Sequence, residues 1–269
     1  LSLVGSEMCI RDSDNVVKII NPLGEENSIM RTNMLSSVIK TLKINYNRRV
    51  PKAKIFELGM TYIPVENQKL PDEKIVVALG MYGDVDFFDL KGIVQNLLDD
   101  LGIKNAEFEA DTESPAYHPG RCAKICAGGK IIGTIGQLHP DIAENFKLDT
   151  DIYCGELDFN TIMEFSTFER EYKSLPKFPA SNRDIALVID KSISVGKIEK
   201  ILNDTKHGIL ESYKLFDVYE GQQVGENKKS VAYSLTFRAP DRTLTDNEIN
   251  DVLNNILEKL KNCLGAELR

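Results

Sequence analysis

Residues 211–238, ESYKLFDVYEGQQVGENKKSVAYSLTFR, contain two runs of apolar, β-branched and aromatic residues separated by a polar segment with two glycines. Such runs predict two strands, over 211–220 and 229–238, joined as an antiparallel pair. Immediately upstream, RDIALVID (183–190) has the composition of a further strand, and the segment from about Ser194 to Lys206 has the spacing of a helix.

Downstream of this pair, the sequence predicts a long helix and a last short strand. Thr245 and Glu248 have the spacing of a capping box, which indicates where the helix begins. Apolar residues at helical spacing continue to about Cys263, and GAELR (265–269) then predicts the strand. The resulting order, βαββαβ, is that of the ferredoxin-like fold.

Alternation along the three long strands sorts their side chains onto two faces of the predicted sheet. The set assigned to the face under the helices is Ile185, Leu187, Ile189, Phe216, Val218, Val231, Tyr233, Leu235 and Phe237. The opposite face is left with Ala186, Val188, Leu215, Asp217, Tyr219, Ala232, Ser234, Thr236 and Arg238. Small residues let a flat nucleobase approach a sheet, and a ring gives it a stacking partner. A solvated face without any ligand has a similar composition, so the pattern alone leaves both interpretations open.

The preceding residues, 14–168, predict a separate α+β unit in which strands outnumber helices. Its expected elements are a strand over 16–20, a helix from about Ser28 to Tyr46, a helix from about Phe88 capped by Asp89, a hairpin around Gly128–Gly129 and a short helix entered at His139. The segment 169–182 carries two prolines and predicts a linker to the unit 183–269. Residues 1–13 resemble neither a signal peptide nor the segments that follow, and we expect a sequencing or cloning scar there.

Composition and charge restrict the class of protein. No apolar run approaches the ~18–20 residues of a membrane-spanning helix. Five scattered cysteines form no CxxC pair, which favours reduced thiols, a cytoplasmic protein and no zinc site. The net charge of −8 is concentrated before residue 172, so local RNA binding by the near-neutral second unit remains compatible with it.

Nine segments together resemble the beta subunits of bacterial phenylalanine–tRNA ligases. They are IMRTNML (29–35), IFELGMTY (55–62), FFDLKG (87–92), HPGRCAKI (118–125), GQLHPDI (136–142), FPASNRDIALVID (178–190), LFDVYEG (215–221), DRTLTDNEI (241–249) and LGAELR (264–269). The resemblance covers residues 14–269 in the family's order. It implies the C-terminal third of such a subunit, with a degenerate class II synthetase-like domain followed by a ferredoxin-fold anticodon-binding domain.

The resemblance also implies that the first domain is a scaffold without catalytic or metal-binding residues. After IFELGMTY, the chain has Ile63–Pro64 where the catalytic alpha subunit has an arginine that grips the ATP phosphates, and no GxGxxR sequence follows. Phosphoryl chemistry needs such cations around the developing charge. We therefore expect no cofactor in this chain, with ATP and magnesium used by the assembled alpha2beta2 enzyme.

The second domain is expected to bind the anticodon loop of tRNA(Phe), which in this family begins with G. A carboxylate can accept two parallel hydrogen bonds from the N1 and N2 groups of guanine, so Asp217 is the predicted guanine reader. The other predicted RNA-binding residues are Tyr219, Ala186 and Ser234 on the same face, and Arg183, Arg238 and Arg242 for phosphates. His118 and Arg121, in YHPGR, are interpreted as structural.

Two alternative functions are less compatible with the sequence. A ferredoxin-like regulatory module that binds a small molecule such as an amino acid would need a glycine-rich ligand loop, and DRTLTDNEI (241–249) offers none. An autonomous ATP-using ligase is disfavoured by the missing arginine and glycine motif. No membrane partner is expected.

Overall fold

The computed structural model describes residues 16–24, 28–104, 106–170, 172, 174–205 and 208–269. The segment 1–13, expected to be a scar, lies outside these residues. The chain forms two compact units that divide after Arg170. In the described part of the chain, no helix is long and apolar enough to cross a membrane.

The first unit is built on a six-stranded antiparallel sheet with strand order β1-β2-β6-β5-β4-β3. The strands are β1 (Ala53–Ile63), β2 (Asp72–Tyr82), β3 (Glu107–Ala110), β4 (Tyr117–Ala127), β5 (Lys130–Leu138) and β6 (Ile152–Asp158). The helices are α1 (Leu35–Asn47), α2 (Phe87–Asp100), α3 (Pro140–Asn145) and α4 (Phe159–Phe165). Alternation divides the core: Ala78 and Cys154 belong to the apolar cluster that contains α1, whereas Leu79 and Leu157 belong to the one that contains α2 and α4.

The beginning of the first unit differs from the sequence-based expectation. Residues 16–20 form no strand, and Lys18 makes only an isolated bridge to Ile29. The helix expected from Ser28 begins at Leu35, because residues 28–30 hydrogen-bond to this upstream segment instead. Helical spacing of apolar residues did not reveal this competing pairing.

Two further local predictions in the first unit have different outcomes. The hairpin at Gly128–Gly129 is confirmed, with both glycines at the positive φ angles (56° and 81°) that such a tight turn requires. Helix α2 is capped by Asp86, whose side chain accepts from the backbone N–H groups of Phe88 and Asp89. Asp89, the predicted cap, is instead the third residue after the cap. Its side chain accepts from the backbone N–H of Asp86 at 2.8 Å, which completes a capping box.

The second unit has the predicted βαββαβ order. Its elements are β7 (Ser181–Asp190), α5 (Val195–Thr205), β8 (Leu210–Tyr219), a 3-10 turn (Gln222–Val224), β9 (Lys228–Phe237), α6 (Asp246–Leu264) and β10 (Glu267–Leu268). The strands form an antiparallel sheet in the order β10-β7-β9-β8. Ser181 and Asn182, assigned to the linker from sequence, are the first residues of β7.

The core of the second unit lies between one face of this sheet and both helices. Its fully buried strand residues include Leu187, Val231, Tyr233, Leu235 and Phe237, and the helices contribute Ile198, Leu202, Ile249, Ile256 and Leu260. The predicted capping box at Thr245 and Glu248 is present at the start of α6. Because both helices cover the same face, the opposite face of the sheet is left without a helix.

Candidate nucleic-acid interface

The sheet face opposite α5 and α6, here called the open face, is a grid of four rows across β8, β9 and β7. Strand register gives the rows as Ser212, Thr236 and Asn182; Lys214, Ser234 and Asp184; Asp217, Ala232 and Ala186; and Tyr219, Ser230 and Val188. Successive rows are separated by two residues of β9, or about 7 Å. The grid brings together Asp217, Tyr219, Ala186 and Ser234, as predicted from alternation.

A β-bulge at Phe216 decides which residues of β8 reach the open face. Leu215 pairs with Tyr233 and Asp217 pairs with Ala232, so Phe216 is an extra residue on β8. The sequence-based assignment of Leu215 to the open face and of Phe216 to the core was therefore wrong. Leu215 packs against the core, and Phe216 is 55% exposed. The bulge re-aims the strand and sets the exposed Asp217 in the same row as Ala232 and Ala186.

Asp217 and Tyr219 occupy neighbouring rows beside a floor of small side chains. Ala232 and Ala186 continue the Asp217 row, and Ser230 lies beside Tyr219. Gly221 packs directly against the Tyr219 ring, and a Cβ at that position would collide with it. Ser230 and Ala232 are buried, whereas Ala186 is partly exposed. A planar base could therefore approach beside Ala186, with the carboxylate at its edge and the ring against its face.

Arg269 is a residue of this site that the sequence-based prediction missed. Its backbone N–H donates to the carbonyl of Ala186 at 2.9 Å. Its side chain donates to Oε1 of Gln223 at 3.1 Å, and the guanidinium carbon lies 5.7 Å from the centre of the Tyr219 ring. The side chain thus crosses the open face from β10 to β8. The segment GAELR predicted a strand here. Residue spacing does not show which strand it pairs with, so the position of Arg269 could not be predicted.

The arginines predicted to contact phosphates are engaged within the chain. Arg183 is two residues before Ile185 in β7, so it lies on the helix-covered side of the sheet. Its Nη2 lies 2.6 Å from Oδ1 of Asp246 at the start of α6. Arg238 pairs with Glu211 at 2.9 Å and donates to the carbonyl of Phe178 at 2.7 Å. Both pairs lie at the end of the sheet furthest from Tyr219.

Arg242 supports the beginning of α6. Its Nη2 lies 2.5 Å from Oε1 of Glu248, and its Nη1 lies 3.1 Å from Oδ1 of Asp241. The pKa of Glu248 is lowered to about 2, first by the backbone N–H of Thr245 and then by Arg242. Arg242 therefore holds the first turn of α6 through its ion pairs. Its contact with RNA stays a prediction.

The predicted structural residues of the first unit have local partners. Nδ1 of His118 accepts from the N–H of Gly120 at 3.0 Å, and Arg121 donates to Gln137 at 2.5 Å. His139 caps α3 as expected, with Nδ1 accepting from the N–H of Asp141 at 3.3 Å. Within the described ranges, no cluster of three or more His, Cys, Asp or Glu side chains is arranged to hold a metal ion.

A cleft of about 760 Å³ in the first unit lies at the end of β1, next to the Ile63 position where the expected arginine is missing. Of the described residues that line it, Lys74 supplies one positive charge, whereas Glu156 and Asp158 supply two carboxylates. A nucleoside triphosphate needs several cations or aligned N–H donors around its phosphates. The lining does not fit ATP, and no chemical step through that nucleotide is assigned to this cleft.

Comparison with known proteins agrees with this two-part architecture. The family model for the "Phenylalanyl tRNA synthetase beta chain CLM domain" matches residues 6–159. The model for the "Ferredoxin-fold anticodon binding domain" matches residues 176–269. The two matches fall on the first and second units, respectively.

Three curated relatives are phenylalanine–tRNA ligase beta subunits. The chain is 45% identical over 262 residues to the phenylalanine–tRNA ligase beta subunit of Clostridium tetani, covering 96% of this chain and 33% of that protein. It is 45% identical over 256 residues to that of Clostridium acetobutylicum (95% and 32%) and 40% identical over 263 residues to that of Symbiobacterium thermophilum (93% and 29%). The chain thus spans about a third of the length of these relatives. By its domain matches and its identity to these relatives, the chain belongs to the phenylalanyl-tRNA synthetase beta chain family.

Proposed function

We propose that this chain recognises the anticodon of tRNA(Phe) as part of a phenylalanine–tRNA ligase beta subunit. The observation that carries the proposal is the placement of Asp217 and Tyr219 in adjacent rows of the open face, beside Ala186 and Ala232. In this arrangement Asp217 accepts from N1 and N2 of guanine while Tyr219 stacks on a base. Arg269, already against one side of the Tyr219 ring, neutralises charge next to it.

The proposal extends to the assembled enzyme. The first unit serves as a scaffold for a catalytic alpha subunit, in an alpha2beta2 assembly that works in the cytoplasm. ATP and magnesium act in the alpha subunit, since the described lining of the cleft in this chain carries more negative than positive charge. Attachment of phenylalanine to tRNA is thus the activity of the complex, to which this chain contributes recognition.

The test is a binding titration of the full chain against two RNA stem-loops whose anticodons begin with G and with A. Asp217→Ala and the nearly isosteric Asp217→Asn should each lose about 1–3 kcal/mol of preference for G, because neither side chain accepts both guanine hydrogens. Tyr219→Ala should weaken both RNAs by about 1–3 kcal/mol and keep the preference, since stacking tolerates any base.

Glu258→Ala provides the matched control, because Glu258 is an exposed carboxylate on α6, away from the open face. It should leave affinity and preference unchanged. If Asp217→Asn retains the full preference for G, the carboxylate is a solvated strand residue and the proposed recognition is wrong.

A further inference from the structure

Apart from Ser234, the polar half of the open face has no role in the guanine site described above. It consists of two rows, Lys214 with Ser234 and Asp184, and Ser212 with Thr236 and Asn182. These six side chains comprise three hydroxyls, an amide, an amine and a carboxylate, and no aromatic ring. Such a surface cannot stack a base, whereas its donors suit the phosphate and ribose groups of a nucleic-acid backbone.

Lys214 is the cation of these two rows. Arg183, Arg238 and Arg242 each lie within 3 Å of a carboxylate oxygen of the same chain. Among the ion pairs formed by described residues, none involves Lys214, which is exposed on the edge strand β8. Its ammonium group is therefore free to exchange water and counterions for a phosphate.

The spacing links Lys214 to the guanine site. Its row adjoins the Asp217 row, about 7 Å away along β9. Asp184 lies at the β7 end of the Lys214 row, so a phosphate is repelled there and attracted at the β8 end. The charges thus favour an RNA strand that leaves the guanine site along β8 rather than across the sheet.

We propose that the polar half of the open face is a backbone-binding subsite, in which Lys214 binds the phosphate group linked to the guanosine held by Asp217. This proposal rests on the function proposed above. Because a phosphate is common to all nucleotides, the subsite adds affinity and strand direction without base preference.

The experiment titrates the full chain with the G-first and A-first stem-loops at several salt concentrations. Lys214→Ala should weaken both RNAs equally, by about two- to fivefold, as expected for one exposed charge contact. It should also reduce the slope of log K against log salt by about 0.7, the value for one phosphate on a single strand. Lys214→Arg should restore both quantities, and Lys259→Ala, an exposed lysine on α6, should change neither.

A second arm locates the phosphate. Stem-loops with a single neutral methylphosphonate, placed on the 5′ or the 3′ side of the guanosine, are titrated with wild type and Lys214→Ala. For one of the two linkages the losses should be non-additive, because the lysine and the removed charge act on each other. Additive losses at both linkages, or an unchanged salt slope in Lys214→Ala, would overturn the subsite.

The two proposals fail in distinguishable ways. If Lys214→Ala changes neither the affinity nor the salt slope, while Asp217→Asn abolishes the preference for G that wild type shows, only the subsite is overturned. Persistence of the G preference in Asp217→Asn would overturn the guanine reader, whatever Lys214 does. Absence of binding by the wild-type chain to either stem-loop would overturn both.

Discussion

Glu156 on β6 supplies the cap that the sequence around α1 lacks. The N-cap residue of α1, Met34, makes no side-chain capping bond. Instead, Oε1 of Glu156 accepts from the backbone N–H groups of Met34 and Leu35, more than 120 positions earlier in the chain. Burial raises the pKa of Glu156, and the two backbone hydrogen bonds act in the opposite direction. A tertiary contact thereby caps α1 where the neighbouring sequence provides no capping side chain.

Substitution of Glu156 separates its capping role from its charge. Glu156→Ala leaves the two N–H groups without this acceptor, and we expect a loss of about 1–3 kcal/mol in the free energy of unfolding. Glu156→Gln retains an acceptor oxygen and should cost less. The measurement is urea unfolding of the full chain, with Glu258→Ala as a control expected to lie within about 0.5 kcal/mol of wild type.

The pH dependence of the same variants follows from the raised pKa. The folded chain keeps the Glu156 proton at pH values where the unfolded chain, with a pKa near 4.5, has released it. The stability that wild type draws from this group therefore falls as the pH rises from about 4.5 towards the higher pKa of the folded state. Glu156→Gln does not titrate, so its stability towards unfolding should rise relative to that of wild type over this pH window. If the difference in the free energy of unfolding between Glu156→Gln and wild type stays constant from pH 4 to pH 7, this prediction is wrong.

At the level of the elements, β8 shows how one extra residue changes the chemistry of a surface. An uninterrupted strand alternates strictly, so Leu215 and Asp217 would share one face. The bulge at Phe216 breaks that constraint: Leu215 joins the core, and Asp217 joins the row of Ala232. Edge strands commonly carry such bulges, which also hinder pairing with another chain. The carboxylate reaches the open face without withdrawing an apolar residue from the core.

The bulge makes a stability prediction opposite to the one that regular alternation makes. Leu215→Ala should lower the free energy of unfolding by about 1–3 kcal/mol, because a partly buried core contact is lost. Phe216→Ala should change it by no more than about 0.5 kcal/mol, since the ring is more than half exposed. Thermal and urea unfolding of both variants provide the comparison. A larger loss for Phe216→Ala than for Leu215→Ala would show that β8 pairs without the bulge.

At the scale of the whole molecule, the two units have separate hydrophobic cores. The buried cluster of the second unit runs from Ile185 to Ala266, and the two clusters of the first unit run from Met34 to Ile162. No residue is shared between them in the described part of the chain. Independent cores are the physical basis for independent folding.

A fragment comprising residues 175–269 should therefore fold alone and unfold in one cooperative transition. Leu235→Ala, which truncates a fully buried side chain, should cost about 2–5 kcal/mol in this fragment. The same substitution in the full chain serves as the matched control and should cost an equal amount. An unfolded fragment, or a markedly different cost in the two contexts, would mean that the second core depends on the first unit.

The chain by itself should not catalyse phenylalanine-dependent exchange between ATP and pyrophosphate. The described residues that line the cleft of its first unit provide Lys74 against Glu156 and Asp158, an unfavourable charge balance for a triphosphate. A complete phenylalanine–tRNA ligase in the same assay is the positive control. Exchange that requires phenylalanine and rises with the amount of purified chain would contradict the scaffold function.

Much of the second unit was predictable because its signals are local. The order βαββαβ follows from periodicities of about two and 3.6 residues, and the start of α6 follows from Thr245 and Glu248, three positions apart. The same alternation predicted that Asp217, Tyr219, Ala186 and Ser234 share a face. It could also have assigned Ser230 to this face, because Ser230 lies two residues before Ala232 in β9.

The sequence by itself thus determined the elements of the second unit and their order, the family and most of one sheet face, because each depends on residues a few positions apart or on recognisable segments. Only the tertiary structure decided that Glu156 caps α1, that β8 bulges at Phe216, that Arg269 lies against Tyr219 and that the predicted phosphate-binding arginines are ion-paired. These contacts join residues on separate elements, and their partners depend on register and packing. A one-residue change of register exchanges the faces of a strand, and no periodicity within a single segment records which register its neighbour adopts.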